Sequence, residues 1–256
     1  MSKKLIYTIC NNSFNELFPI FFKTIREHNP EVDLLVITDK IEFFKNKFED
    51  FMLYQISDLD WKYSGRFMIH NWERIHNYET ILYLDCDIIC QKNLGEVFNL
   101  ISAQKNKLSL VQSYLSIALH LDWFLMKGYK ASENAVSYNS GTFGFNINQL
   151  KIIKELCEFV ALNAENNLCD QPIFNAFIDK QNLGDPNLTN YVWLDANTKR
   201  NIFNIDDYPL IHFLSGFGEY LGKKQRMEKY LNRNKSIINR IKFALVSHYK
   251  RRRYKS

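Results

Sequence analysis

The first hundred residues alternate between short apolar runs and stretches in which apolar residues recur at helical spacing. Residues 4–10, 33–38 and 51–56 are apolar runs of the length expected of buried strands, and the third is the weakest. Between the first two runs, apolar positions recur every three to four residues, and Pro19 places the start of the predicted helix near Leu17. This alternation predicts an α/β fold with a mostly parallel, doubly wound sheet.

A second amphipathic helix is predicted over residues 65–75, because Phe67, Met68, Asn71, Trp72 and Ile75 fall on one stripe. It leads into the strongest strand of the sequence, Thr80–Leu84. Further strands are predicted at residues 109–111 and 142–146, and further helices at residues 149–163 and 171–178. Because no internal repeat and no Gly/Ser-rich linker interrupts the series, we expect one domain over residues 1–222.

The composition predicts a globular protein without membrane spans. Apolar residues make up 46% and charged residues 24% of the 256 residues, enough apolar surface for a packed core. The sequence has no run of eighteen apolar residues, and its five cysteines include no Cys-x-x-Cys pair. A disulfide framework and a zinc knuckle are therefore not expected, and with no secretory signal pattern the prediction is a cytoplasmic protein.

The net charge of +5 hides a strong asymmetry along the chain. Residues 223–256 contain thirteen Lys and Arg and one acidic residue, Glu228, a net charge of +12, which leaves −7 for residues 1–222. We therefore expect the acidic domain and the basic tail at residues 223–256 to have different roles.

The most informative polar residues, Asp85 and Asp87, follow the strand Thr80–Leu84 directly. On an extended segment their spacing directs both carboxylates to the same side, at the edge where open α/β sheets bind ligands. Two carboxylates forced together repel each other, so a divalent metal ion is the expected compensation. The spacing alone is weak evidence, since Asp58 and Asp60 share it in a polar segment that favours a turn or a helix cap.

Four further motifs accompany the Asp pair in a fixed order. These are Arg66 in YSGRF, the segment YNSGTFGFN at Tyr138–Asn146, the pair Asp170 and Gln171, and the segment IHFLSGFG at residues 211–218. With this ordered set, the chain resembles glycosyltransferase family 8, the family of glycogenin and bacterial lipooligosaccharide galactosyltransferases, over about residues 4–218. The resemblance implies a GT-A fold, a Rossmann-like nucleotide-sugar transferase architecture.

The resemblance implies that Asp85, Asp87 and His212 hold Mn²⁺ or Mg²⁺. A site that mixes carboxylates with an imidazole suits Mn²⁺ better, since nitrogen donors favour transition metals. From the residues alone, His212 could instead be a buried structural histidine.

The resemblance also implies a donor site and a pair of catalytic residues. Asp170 and Gln171 match the family's pair beside the anomeric carbon, although the same residues could simply cap a helix. The implied donor-binding residues, for a UDP-sugar, are Ile9, Asn11, Asn12, Phe14, Arg66, Asp85, Cys86, Asp87, Asn139, Ser140, Gly216 and Lys223.

Two departures from the family pattern affect the donor site. The family usually carries an acidic residue after the first strand to read the uracil edge, whereas this chain has the amides Asn11 and Asn12, which can still form hydrogen bonds to a base. The family's C-terminal lysine follows soon after the His-x-x-Gly segment. Here Glu219 and Tyr220 intervene, and the next lysines are Lys223 and Lys224.

The function implied is a retaining, metal-dependent transfer of galactose or glucose from a UDP-sugar to a glycan or glycolipid acceptor. Such a reaction fits lipooligosaccharide, lipopolysaccharide or polysaccharide synthesis. A nucleotidyltransferase is an alternative, but it should carry a Gly-rich N-terminal loop with Lys or Arg, which CNNSFNEL lacks. A noncatalytic, membrane-associated module that binds nucleotide sugars is a further alternative.

The basic tail is predicted to form a cationic amphipathic helix. Between Tyr230 and Arg253, apolar residues fall on one face, and basic residues surround them. Those apolar residues are Ile237, Ile238, Ile241 and Leu245. Such a helix would attach the enzyme peripherally to anionic lipids of the inner membrane face, unless the tail is simply solvated. Nucleic-acid binding is not expected, because the domain is acidic and the tail lacks interleaved aromatics.

Overall fold

The computed structural model describes residues 3–11, 14–45, 48–57, 65–113, 130–133, 135–163, 170–195, 202–214 and 222–233. These residues fall into two compact units. The first unit draws on the segments Met1–Asn12, Glu31–Asp85 and Gly95–Thr189, and the second on Ser13–Pro30, Cys86–Leu94 and Asn190–Ser256.

The first unit is built on a seven-stranded sheet with the order β3-β2-β1-β4-β7-β6-β8. The strands are β1 (Lys4–Ile9), β2 (Asp33–Thr38), β3 (Met52–Gln55), β4 (Thr80–Leu84), β6 (Leu108–Gln112), β7 (Tyr138–Asn146) and β8 (Gly184–Asp185). Neighbouring strands pair in parallel except β7, which runs antiparallel to both β4 and β6. The sheet confirms the predicted α/β class, and its continuous apolar strands suit parallel strands buried on both faces.

Among its described residues, the first unit has four α-helices. They are α2 (Ile41–Lys45), α3 (Gly95–Ala103), α4 (Leu150–Asn163) and α5 (Asp170–Gln181). The last two confirm the helices predicted at residues 149–163 and 171–178. The strand predicted at residues 142–146 is longer than expected, because residues 138–141 are buried and the first two of them, Tyr138 and Asn139, pair with β6.

The amphipathic α-helix predicted over residues 65–75 is wrong. Two 3₁₀ helices, Gly65–Asn71 and Glu73–Asn77, occupy this region, and the backbone of Trp72 between them is extended. Three of the buried residues, Ile69, Trp72 and Ile75, recur every three positions. That spacing matches the period of a 3₁₀ helix rather than the 3.6 residues of an α-helix.

An aromatic cluster at the centre of the first unit supports the end of β4. Tyr83 packs against Tyr7 and Phe143, with ring centroids 5.0 and 4.9 Å apart, and Phe67 stacks on Phe174 at 6.1 Å. Aromatic pairs at such distances stabilise beyond their buried area, by about 0.5–1.5 kcal/mol each. The cluster therefore gives a rigid base to the polar groups that follow β4.

Gly144 in β7 is a position where the core tolerates no side chain. A Cβ built there would lie 2.4 and 2.5 Å from two carbons of the Ile101 side chain. We expect Gly144→Ala to lower the free energy of unfolding by about 1–3 kcal/mol, because Ile101 must leave its packed position. Gly222→Ala is the matched control, since nothing lies within 4 Å of a Cβ there. Chemical denaturation measures both, and equal midpoints would contradict the expectation.

The second unit contains a three-stranded sheet with the order β5-β10-β9. Its strands are β5 (Ile88–Cys90), β9 (Val192–Leu194) and β10 (Leu210–His212), and its helices are α1 (Phe18–His28) and α6 (Lys223–Leu231). The helix α1 follows Leu17 and carries Pro in its first turn, as predicted. The side chain of Asn29, just past α1, donates to Cys90 Sγ and accepts from Leu94 N, which fixes α1 against β5.

The start of the predicted basic tail is packed within the second unit. Met227 and Tyr230 of α6 are buried, and the Tyr230 ring lies 6.0 Å from that of Phe213. The apolar stripe predicted at residues 237–245 lies outside the described residues. None of the helices that the structure describes is both long and apolar enough to span a bilayer.

Candidate active site

Asp85 directly follows β4 and is held in place by both its backbone and its side chain. Its backbone N donates to Gly141 O at 2.9 Å, which ties the residue to β7. Its carboxylate accepts a hydrogen bond from the hydroxyl of Tyr83, whose ring is fully buried. Burial raises the pKa of Tyr83 well above its ordinary value despite the nearby Arg66 guanidinium, so this hydroxyl stays protonated and donates.

Arg66 joins three of the sequence motifs in the first unit. Its Nε lies 2.8 Å from Asp170 Oδ2, and its Nη1 lies 3.8 Å from Asp85 Oδ1. Nη1 also donates to the Ser140 carbonyl oxygen at 2.8 Å and to Ser140 Oγ at 3.2 Å.

The position of Arg66 is itself fixed by the aromatic cluster. Its guanidinium carbon lies 5.4 Å from the centre of the Tyr83 ring, and its carbonyl oxygen accepts from the Tyr7 hydroxyl at 2.9 Å. A planar guanidinium can serve several acceptors at once, which a lysine ammonium does less well.

Gln171 contacts Asn139 and Ser140 of β7, two of the predicted donor-binding residues. Its Oε1 lies 3.3 Å from Ser140 N and 3.4 Å from both Ser140 Oγ and Asn139 Nδ2. The Asn139 side chain also accepts from Gly141 N at 3.0 Å. Asn139, Ser140, Asp170 and Gln171 are therefore brought together with Arg66, while their catalytic and donor-binding roles stay predictions.

In the second unit, Asp87 is a buried carboxylate that contacts both His212 and Lys223. It is 2% exposed, its Oδ1 lies 3.0 Å from His212 Nε2, and the Lys223 ammonium donates to its Oδ2. Burial alone would raise the pKa of Asp87, but His212 and Lys223 more than offset this and hold it well below its usual range. The Asp87 carboxylate is therefore ionised although it is buried.

Asp195 and Arg226 brace the strand that carries His212. Asp195 N donates to His212 O at 3.1 Å, and its Oδ1 accepts from Leu214 N at 2.9 Å. Arg226 pairs with Asp195 and donates to Leu214 O at 2.8 Å. The sequence did not single out either residue, since they lie 31 positions apart and belong to no motif.

A family model described as glycosyl transferase family 8 matches residues 8–218 of the chain. The chain belongs to this family. It is a glycosyltransferase, and the resemblance expected from the motif order is confirmed.

Solved structures agree on the fold. The galactosyltransferase LgtC, solved in complex with donor and acceptor sugar analogues, is similar with a TM-score of 0.61 and 10% identity. That match covers 88% of this chain and 94% of LgtC. The apo form of the glycosyltransferase GlyE of Streptococcus pneumoniae TIGR4 matches with a TM-score of 0.61 and 17% identity, over 96% of this chain and 64% of GlyE. The predicted GT-A fold is thus confirmed, while a search of the curated proteins gave no match.

The residues of this family 8 enzyme fit a divalent metal ion. In the second unit, Asp87 and His212 present a carboxylate oxygen and an imidazole nitrogen 3.0 Å apart, and Cys86 alone separates Asp87 from Asp85 along the chain. Carboxylate oxygens and an imidazole nitrogen suit Mn²⁺, and the Asp87 carboxylate is ionised and offers an anionic oxygen to such an ion.

The remaining predicted donor-binding residues are placed as follows. Ile9 ends β1, with Asn11 just beyond it in the first unit. Phe14 and Cys86 belong to the second unit, where the Lys223 ammonium lies 5.7 Å from the centre of the Phe14 ring. Asn12 and Gly216 lie outside the described residues. Binding of a nucleotide by these residues stays a prediction.

Proposed function

We propose that this enzyme transfers a hexose, galactose or glucose, from a UDP-sugar to a glycan acceptor with retention of anomeric configuration. The observation that carries the proposal is the set of contacts made by Arg66. One guanidinium contacts Asp85, Asp170 and Ser140, which come from three separate motifs expected to surround the donor. Such convergence gives the donor sugar and its phosphates a prebuilt binding surface.

The contacts of Asp170 favour one role for it over another. Its carboxylate forms a short ion pair with Arg66, so much of its negative charge is already compensated. We therefore assign Asp170 to orienting Arg66, rather than to forming a covalent bond with the anomeric carbon.

Gln171 is assigned to the sugar itself. Its Oε1 accepts from Ser140 and Asn139, which orients the side-chain amide beside the turn expected to contact sugar hydroxyls. An amide held this way can position the acceptor hydroxyl on the same face that the leaving group departs from, as retention requires.

Two cationic side chains are candidates to neutralise the negative charge on the departing diphosphate. Arg66 and Lys223 are cations at the predicted donor residues, and each is paired with an aspartate. A divalent ion held by Asp85, Asp87 and His212 would supply Lewis-acid stabilisation of the leaving diphosphate. The amides Asn11 and Asn12 are assigned to the base edge of the nucleotide.

The test is donor hydrolysis across a panel of UDP-sugars with Mn²⁺, Mg²⁺ or neither. We expect release of UDP from UDP-galactose or UDP-glucose, faster with Mn²⁺, and nuclear magnetic resonance of the freed sugar or transfer product should show the α-anomer first. Release of UDP from no donor under any condition would refute the proposal. Formation of a nucleotide sugar from a sugar phosphate and UTP would instead indicate a nucleotidyltransferase.

We also propose a cytoplasmic enzyme held at the inner membrane face, where a lipid-linked glycan would be its acceptor. The net charge of +12 over residues 223–256 supports this, because basic residues near an anionic surface contribute about 1 kcal/mol each. Vesicle flotation with phosphatidylglycerol should recover the full chain but not a chain ending at residue 233, which keeps α6. Equal recovery of the two would remove the membrane proposal.

A further inference from the structure

A cavity of about 300 Å³ lies in the first unit at the C-terminal end of α5. Its volume is at the lower end of the range of small-molecule sites, roughly 300–1,000 Å³, enough for about one sugar unit. Its polar lining comes from Ser132, Glu133, Tyr138, Asp179 and Asn182, and its apolar lining includes Val136 and Ile178.

The walls of this cavity are held by specific contacts. Asp179 accepts hydrogen bonds from both the backbone N, at 3.0 Å, and the hydroxyl of Ser132, which fastens the loop before β7 to α5. The helix ends at Asn182, whose φ of 52° is left-handed, and Leu183 N returns to Ile178 O at 3.1 Å. The Tyr138 ring packs on Gly184, where a Cβ would lie only 2.6 Å from it.

The lining chemistry selects a neutral sugar. The carboxylates of Glu133 and Asp179 accept hydrogen bonds from hydroxyl groups and would repel a phosphate or a nucleotide. Burial, with help from Asp185 and Asp179, raises the pKa of Tyr138 to about 12, so its phenol stays protonated and can donate. Val136, which is partly exposed, offers apolar surface to the C–H face of a pyranose, which a site for a bare metal ion would not need.

The cavity shares its two main elements with the candidate active site. The buried side chain of Asn175 donates to Tyr138 O and to Gln171 O, each at 2.9 Å, and accepts from Tyr138 N at 2.6 Å. One amide thus joins the backbone of a cavity residue to that of a predicted catalytic residue. From Gln171 to Asp179 the helix rises by about 12 Å, a length that a short oligosaccharide can span.

We propose that this cavity is a subsite for a neutral sugar unit of the acceptor, bound apart from the unit that receives the hexose. The inference rests on the proposed function, because a glycan acceptor is its premise. The subsite would select acceptors longer than one sugar and hold them while the terminal hydroxyl reacts.

Saturation-transfer NMR of the full chain, with UDP and Mg²⁺ at saturation, tests the subsite directly. The probes are glucose, galactose, N-acetylglucosamine, lactose and cellobiose. We expect saturation transfer to at least one probe, and an affinity about tenfold weaker in Glu133→Gln, because a hydrogen bond to a charged acceptor is replaced by a weaker one to a neutral amide oxygen. Asp179→Asn should weaken binding similarly.

Glu158→Gln is the matched control, because Glu158 is an exposed glutamate of α4 outside the cavity lining, and it should bind the probes as the natural chain does. Circular dichroism and UDP affinity, both expected to be unchanged, show that the variants fold. Absence of saturation transfer to every probe, or equal affinities in all three variants, would overturn the subsite. UDP release from a donor without acceptor reports the proposed function separately, so the two failures are distinguishable.

Discussion

Asp87→Asn is expected to lower kcat/KM for the UDP-sugar about 10²–10³-fold while the chain still folds. The substitution keeps the shape of the side chain but removes the negative charge that His212 and Lys223 surround. Without that charge the predicted metal site loses an anionic ligand, and stabilisation of a leaving group by such fixed charges is worth this order of rate. Steady-state donor hydrolysis measures the effect, and calorimetry of Mn²⁺ with UDP should show weaker metal binding.

The sequence supplies a matched control in Asp60→Asn, since Asp58 and Asp60 have the same spacing as Asp85 and Asp87. That variant should keep its turnover. Thermal unfolding of Asp87→Asn separates loss of chemistry from loss of structure, because removing one partner of a buried charge pair also destabilises. Turnover of Asp87→Asn within about threefold of the natural chain would contradict the metal assignment. Even the loss of a hydrogen-bond partner of a metal ligand typically costs about 10–100-fold in metal affinity or activity.

Arg66→Lys is expected to reduce kcat/KM by about 10²-fold although the positive charge is kept. The guanidinium reaches Asp170 through Nε and Ser140 through Nη1, and a single ammonium cannot occupy both positions. The loss should fall mainly on kcat, because misplaced groups at a reacting centre slow the chemical step.

Arg74→Lys is the control for this second prediction. Arg74 is exposed, and its guanidinium carbon lies 5.8 Å from the centre of the Trp72 ring, where no donor-binding role is predicted. It should leave kcat/KM unchanged. Donor hydrolysis and transfer rates are measured for both variants. If Arg66→Lys retains full activity, Arg66 does not organise the donor site.

The sheet could be predicted because its strands are continuous apolar runs. Residues Asp33–Thr38 and Thr80–Leu84 have the predicted bounds, since no polar residue interrupts them before the ends. For residues 138–141, in contrast, the local sequence does not predict a strand. Their sequence, YNSG, is typical of a turn, but pairing with β6 and contacts to Gln171 keep them within β7. Such long-range partners leave no trace in local sequence.

The candidate site was predictable as a set of motifs but not as a network. The order of Arg66, Asp85, Asn139 and Asp170 indicated the family, yet nothing in it indicated that Arg66 contacts each of the other motifs. The sequence shows Tyr83 only as a residue of the strand Thr80–Leu84. Its role depends on the hydrogen bond from its hydroxyl to Asp85, which the sequence does not reveal. The sequence does not indicate Asp195 and Arg226 for a related reason. Asp195 contacts His212, and Arg226 contacts Leu214, through main-chain atoms that any residue carries.

The hydrogen bond from Asp85 N to Gly141 O links two properties that would otherwise vary independently. It anchors a predicted cation ligand to the same short stretch, Asn139–Gly141, that is assigned to recognising the sugar. If the proposed metal site is correct, natural or laboratory variants that accept a different hexose through changes in this stretch would therefore also bind the divalent ion differently. The preferred donor sugar and the affinity for the metal ion should therefore change together in such variants.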